Sequence, residues 1–155
     1  MENMLVRGVT KDTDIARISV VGMKDIPGNA FKMFSRLAQK GINIDVILQS
    51  VGRDGTKDIS FTCAASNADE AVEILNDIFS MEGAVVSSDT TVAKISIVGA
   101  GMQSNPGVAA KMFSALSDAR ININMISTSE IKISVLIDIK DSERAVQAVH
   151  DAFIR

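Results

Sequence analysis

Ala16-Arg17-Ile18-Ser19-Val20-Val21-Gly22 is answered later in the chain by Ala93-Lys94-Ile95-Ser96-Ile97-Val98-Gly99. The stretch that follows repeats as well: Pro27-Gly28-Asn29-Ala30-Phe31-Lys32-Met33-Phe34-Ser35 is matched by Pro106-Gly107-Val108-Ala109-Ala110-Lys111-Met112-Phe113-Ser114. Next, Ile42-Asn43-Ile44 recurs as Ile121-Asn122-Ile123. Further on, Ala71-Val72 corresponds to Ala145-Val146, and Phe79 to Phe153. Matches in one order over such a distance mark a duplication, with a unit of about 70 residues.

Each unit reads as β-α-β-β-α-β. Residues 16–22 are short, β-branched and closed by Gly22, which predicts a strand. Ala30, Met33, Phe34, Leu37 and Ala38 form one helical face. Pro27-Gly28 starts that helix and Gly41 ends it. Residues 42–51 predict a second strand, Asp54-Gly55 a hairpin turn, and 57–64 the returning strand. Asn67 and Glu70 suggest a capping pair before the stripe Ala71, Ile74, Leu75, Ile78 and Phe79. Ala84-Val85-Val86 closes the unit as a fourth strand. The expected class is α+β: two ferredoxin-like domains, each an antiparallel sheet with helices on one face. The second unit lacks a fourth strand before Arg155, and the segment 3–8 is a spare. A sheet short of an edge strand exposes unpaired backbone groups. Residues 3–8 are therefore expected to complete the second sheet. The expected domains are 14–90, and 1–10 with 91–155, the first inserted in the second.

Length and composition narrow the function. The chain has 155 residues, 46% hydrophobic and 23% charged, with a formal net charge of −3. A chain of this size buries roughly 68–70% of its unfolded surface, enough for a real core. No apolar run approaches the ~18 residues of a membrane span, and charges among the first twenty residues argue against a secretory signal. No basic block offers phosphate neutralisation, so neither membrane nor nucleic acid is an expected partner. The single cysteine, Cys63, lies in an apolar run and reads as a buried hydrophobe. The single histidine, His150, falls on an amphipathic helix as a surface residue. Together they supply neither a catalytic pair nor a zinc site. No catalytic residues, metal or cofactor are expected.

The loop Gly22-Met23-Lys24-Asp25-Ile26-Pro27-Gly28-Asn29-Ala30 is the candidate site. The first turn of a helix has free N–H groups and the positive end of the dipole, which suit a carboxylate. Gly28 permits close approach to backbone, and Asp25 offers a countercharge to an ammonium group. Together they suit the two ends of a free amino acid. The second-repeat loop Gly99-Ala100-Gly101-Met102-Gln103-Ser104 fails as a dinucleotide fingerprint, because Ser104 replaces the third glycine. Asn43 or Asn122, at the start of the second strand of each unit, lies within reach of a ligand in that loop. Met33 and Met112 read as core packing.

The repeats resemble ACT domains, and nearly the whole chain resembles the regulatory region of bacterial aspartokinase. The resemblance rests on 24–30, 42–49, 58–63, Gly99-Ala100-Gly101-Met102 and Ile126-Ser127-Thr128-Ser129-Glu130-Ile131. It implies a regulatory, non-catalytic part of aspartate kinase, the enzyme that opens the pathway to lysine, threonine and methionine. It implies a cytoplasmic homodimer through ACT domains, with the aspartokinase catalytic subunit as partner. It also implies feedback sensing of lysine and/or threonine, bound between ACT domains of different chains. By matching motif, effector contacts are expected from Met23, Asp25, Ile26, Pro27, Gly28, Asn29, Ala30, Asp45 and Gln49. From the second unit of a partner they are expected from Asn122, Ile123 and Asn124. A possible second effector site involves Ser50, Met102, Ala109, Ser129 and Glu130, although Ala109 stands where some relatives place threonine. The family's kinase domain, with its Lys-Phe-Gly-Gly start, is not in this sequence. That implies either a free-standing regulatory subunit or an excised piece. Two rivals are a free-standing ACT sensor of another enzyme or of transcription, and an RNA-binding protein of the same plan. The latter lacks stacking aromatics, since Phe61 alone lies on the third strand of either unit.

Overall fold

The computed structural model describes residues 6–101 and 105–154. The elements are β1 (Val6–Asp12), β2 (Ala16–Lys24), α1 (Asn29–Gln39), β3 (Ile47–Val51), β4 (Thr56–Cys63) and α2 (Ala68–Phe79). They continue as β5 (Val85–Asp89), β6 (Val92–Gly99), α3 (Pro106–Asp118), β7 (Met125–Thr128), β8 (Lys132–Asp138) and α4 (Ser142–Phe153). The strands form two four-stranded antiparallel sheets, ordered β3-β4-β2-β5 and β1-β6-β8-β7. The chain divides into two compact units: Asp14–Thr90, and the segment before it together with everything from Thr91 onward. In the second sheet β1 takes the position that β5 holds in the first, antiparallel to the unit's opening strand.

Alternation along the strands sets which side is covered. Ile18, Val20, Ile59 and Phe61 share one face of the first sheet and are fully buried beneath α1 and α2. Ile95, Ile97, Ile133, Val135 and Ile137 do the same in the second unit. The helices answer with stripes at four-residue spacing: Asn29, Met33 and Leu37 on α1, and Val108, Met112 and Leu116 on α3. Ala38, expected on the α1 stripe, faces solvent instead, because three turns of helix need only the narrower stripe to cover the sheet. On the opposite sheet faces the duplication persists in hydroxyl pairs, Ser19 with Ser60 at 2.9 Å and Ser96 with Ser134 at 2.7 Å.

Both first helices end in the same Schellman arrangement. Gly41 N–H donates to Ala38 O and Ile42 N–H to Leu37 O in the first unit. Arg120 N–H donates to Ser117 O and Ile121 N–H to Leu116 O in the second. The residue that turns the chain is left-handed in each, Gly41 with φ 73° and Arg120 with φ 59°.

Four expectations about elements need correction. The strand expected over 42–51 is confined to Ile47–Val51. Residues 42–46 instead anchor individually: Ile42 and Val46 are buried, Asp45 N–H donates to Thr62 O, and the Thr62 hydroxyl accepts from Val46 N–H. Asn67 makes no side-chain cap, because a 3-10 turn over Ala65–Asn67 runs straight into α2 and gives Asn67 near-helical backbone angles. The closing strand runs Val85–Asp89 rather than 84–86. The expected edge segment 3–8 falls partly outside the described residues, and the described strand continues to Asp12. The Asp54-Gly55 turn has both residues left-handed, φ 53° and 77°, with Thr56 N–H donating to Arg53 O, as a tight hairpin demands.

Phe61 is fully buried and meets Phe34 edge-to-face with ring centroids 5.8 Å apart. Phe61→Ala is expected to destabilise the first unit by about 3–5 kcal/mol, through lost transfer energy and the cavity left behind. Urea unfolding of the variant against the parent chain measures this.

Candidate functional site

The turn from β2 into α1 is built on a break in the sheet. Pairing of β2 with β4 shifts between Val20 and Met23, at a bulge where Gly22 has φ 84°. Asp58 of β4 accepts the Gly22 N–H at 2.9 Å. Beyond the bulge Met23 pairs with Lys57 and Lys24 with Thr56, and Asp25 N–H reaches Gly55 O at 2.9 Å. The loop is thus tied along the β4 hairpin before α1 begins.

Two residues then aim the helix. Gly28, at φ 92°, occupies the N-cap position of α1, and no side chain caps the helix. A Cβ at Gly28 would meet nothing within 4 Å, so the glycine is required by its dihedral rather than by lack of room. Asn29 is 1% exposed, and its Nδ2 donates to Lys24 O at 2.8 Å across the loop. The corresponding residue of the second repeat, Val108, fills the same stripe position with an apolar side chain. The first-turn amides of α1, Ala30 and Phe31 among them, are left open to an acceptor, with no acidic side chain in that turn. Ile26 and Phe31 stand exposed on either side, Phe31 at 77%.

Asp25 is not an isolated countercharge. Lys57 Nζ lies 3.6 Å from Asp25 Oδ1, with the lysine side chain only 12% exposed and the aspartate 57%. Sequence reading missed Lys57, which is remote along the chain and becomes visible only through the β2–β4 register. That register also places Gln49. Val51 pairs with Lys57, and Gln49, two residues back along β3, shares its face of the sheet. Asp45 and Ser50 are exposed, on the β3 approach and on β3 itself. Two expected ligand contacts are covered: Met23 is fully buried in the core and Asn29 is the internal tether just described. Both support the loop from beneath, because strand alternation and the helix stripe turn them inward. Ile26 and Pro27 are exposed, and Ala30 is half-buried.

In the second repeat, Asn122 and Asn124 are exposed and Ile123 half-buried, just past the end of α3, with Asn124 N–H donating to Leu136 O at 2.7 Å. Ser129 closes the β7–β8 turn by donating its N–H to Lys132 O at 2.8 Å, beside exposed Glu130. Ala109 is half-buried on α3. Met102 lies outside the described residues.

Cys63 is buried on β4, and that burial raises its thiol pKa above the ordinary 9.0. His150 is exposed on α4. Among the described residues no three His, Cys, Asp or Glu side chains gather as a metal site, and no helix is long and apolar enough to cross a membrane.

Comparison with known proteins agrees with the fold. The ACT domain family model matches residues 18–79 and 95–153. Aspartokinase of Mycolicibacterium smegmatis is 46% identical over an alignment 156 residues long, which covers 99% of this chain and 37% of that protein. Aspartokinase of Helicobacter pylori strain 26695 is 45% identical over 153 residues. The chain thus spans little more than a third of the length of the curated relatives it matches. Among solved structures, the ligand-free regulatory subunit of aspartate kinase from Thermus thermophilus superposes with a TM-score of 0.90 at 42% identity, covering 96% of this chain and 99% of that one. A structure of aspartokinase alpha and beta subunits gives a TM-score of 0.86 at 45% identity, covering 96% and 98%.

Two outcomes follow from the loop and the thiol. Asn29→Val keeps the apolar stripe but removes the amide that Lys24 O accepts, and is expected to cost about 1 kcal/mol in urea unfolding. The Cys63 thiol is expected to resist a disulfide reagent just above neutral pH in the folded chain and to react promptly in urea. Since its folded-state pKa is the higher one, its stabilising contribution is complete below 9.0 and is lost as pH rises through the folded value.

Proposed function

Because the chain belongs to the ACT domain family, we propose that it senses a free amino acid and conveys that binding to an aspartate kinase. The region it matches is the regulatory part of aspartokinase. In this reading the 14–90 domain is an insertion within the other, the protein is cytoplasmic, and its partner is the catalytic subunit. The likeness to the aspartokinase alpha and beta subunit structure supports that partner.

The observation that carries the reading is the uncapped start of α1, held open by Gly28 and by the buried Asn29 amide. The effector is lysine, threonine or both. Its carboxylate accepts from the open amides near Ala30, and its ammonium meets the Asp25 oxygen that Lys57 does not face. Pro27 and Ile26 shape the rim. Gln49 contributes from β3, and Asp45 faces the side-chain ammonium when lysine is bound. Asn122 of the partner subunit, Ile123 of the partner subunit and Asn124 of the partner subunit close the other side. A second effector position draws on Ser50, Ala109, Ser129, Glu130 and Met102.

Dimerisation is supported by β3, an edge strand exposed along its whole length, with Val51 at 92% and Ile47 at 49%. Such an edge, bearing exposed apolar side chains and unpaired on its outer side among the described residues, invites a second chain. An effector bound across two chains favours the associated state by its difference in affinity for the two states and by nothing more. A coupling of about 1–3 kcal/mol changes the response of an attached kinase about 5–150-fold.

Asp25→Ala is expected to weaken lysine or threonine binding by about tenfold or more, since a hydrogen bond to a charged group is lost. Stability should move by less than about 1 kcal/mol, because the Asp25–Lys57 pair is half-open to water. Titration calorimetry beside urea unfolding reads both. Unchanged affinity would remove Asp25 from the site.

A further inference from the structure

Arg120 occupies a backbone position that suits glycine. Its φ of 59° is left-handed, and the equivalent residue of the first repeat is Gly41 at φ 73°. A side chain is disfavoured there, and non-glycine residues held in this region concentrate at functional sites. The ordinary reason for an arginine at this place is to cap the last carbonyls of the helix. That task is already done. Leu116 O and Ser117 O are taken by the turn's own amides, and Arg144 Nη1 donates to Ala119 O at 2.5 Å while its Nη2 binds Asp141. The Arg120 guanidinium has no hydrogen-bond or ion-pair partner among the described residues.

The side chain instead lines a cleft of about 300 Å³ with Phe113, Ser117, Ile121, Asn122 and Ile123. The first repeat has Phe34, Ala38, Gly41, Ile42, Asn43 and Ile44 at these places. The two copies thus share the apolar wall and the asparagine, and the second adds a hydroxyl and a guanidinium. An apolar wall with one cation and a few amide and hydroxyl groups suits a small amphipathic carboxylate.

We infer that Arg120 pairs with the carboxylate of the amino-acid effector from the second-repeat side, opposite the open amides of α1 in the other chain. This rests on the effector reading above. It makes Arg120 a specificity-determining residue, one that selects a free carboxylate and links effector binding to the pairing of chains.

The test is calorimetric titration of the whole chain with lysine, threonine, lysinamide and threoninamide, for the parent, Arg120→Gly and Arg120→Lys. Arg120→Gly is expected to melt a few degrees higher, because the strained dihedral is relieved. It should bind the effector about 10–100-fold more weakly, while losing much of the preference for the free acid over its amide. Arg120→Lys should retain part of that preference. A parent that binds lysine or threonine while Arg120→Gly binds it equally well overturns this inference and leaves the effector reading standing. A parent that binds neither overturns both.

Discussion

The turn between β2 and α1 depends on one buried contact, the Asn29 amide donating to the Lys24 carbonyl. Gly28 must be left-handed for the chain to enter the helix at this angle. Asn29 must then reach back across the loop from a stripe position otherwise reserved for apolar side chains. A buried amide is tolerated only when its polar atoms find partners. This one is used to fix the loop, so that the first-turn amides of α1 emerge uncapped beside Asp25 and Lys57. The open helix start follows from that tether, and the charge pair beside it from the β2–β4 register.

The duplication acts as an internal control on which residues fold the chain and which do something else. Met33 and Met112, Leu37 and Leu116, and Phe79 and Phe153 hold equivalent core places in the two units. Among the positions where the copies differ, two lie at the ends of the first helices. Asn29 corresponds to Val108 at one end, and Gly41 to Arg120 at the other. Packing explains the shared residues but not these exchanges. A valine would fill the stripe as well as an asparagine, and a glycine would turn the chain more cheaply than an arginine.

Much of this was legible in the sequence because local pattern and tertiary need coincide. Helical spacing marked Met33 and Leu37, and Asp54-Gly55 marked the hairpin, since both signals are short-range. The β-α-β-β-α-β plan followed from repetition, and the family resemblance agrees with the comparisons. The failures have physical causes. Residues 42–46 alternate apolar and polar as a strand would, yet Ile42 is held by the end of α1, and Asp45 and Val46 by Thr62. Asn67 has a capping side chain but the wrong backbone angles, fixed by the 3-10 turn before it. Lys57 entered the site through sheet register, which sequence spacing does not display. Met23 was expected near the ligand by motif, and strand alternation buries it.

The central claim is that an amino acid bound at the α1 turn stabilises the association of two chains. Sedimentation of the purified chain, with and without saturating lysine or threonine, tests it most directly. A shift of the monomer–dimer equilibrium toward dimer by one or both amino acids is the predicted result. A chain that stays monomeric at every concentration, or whose association is indifferent to both amino acids, would contradict it.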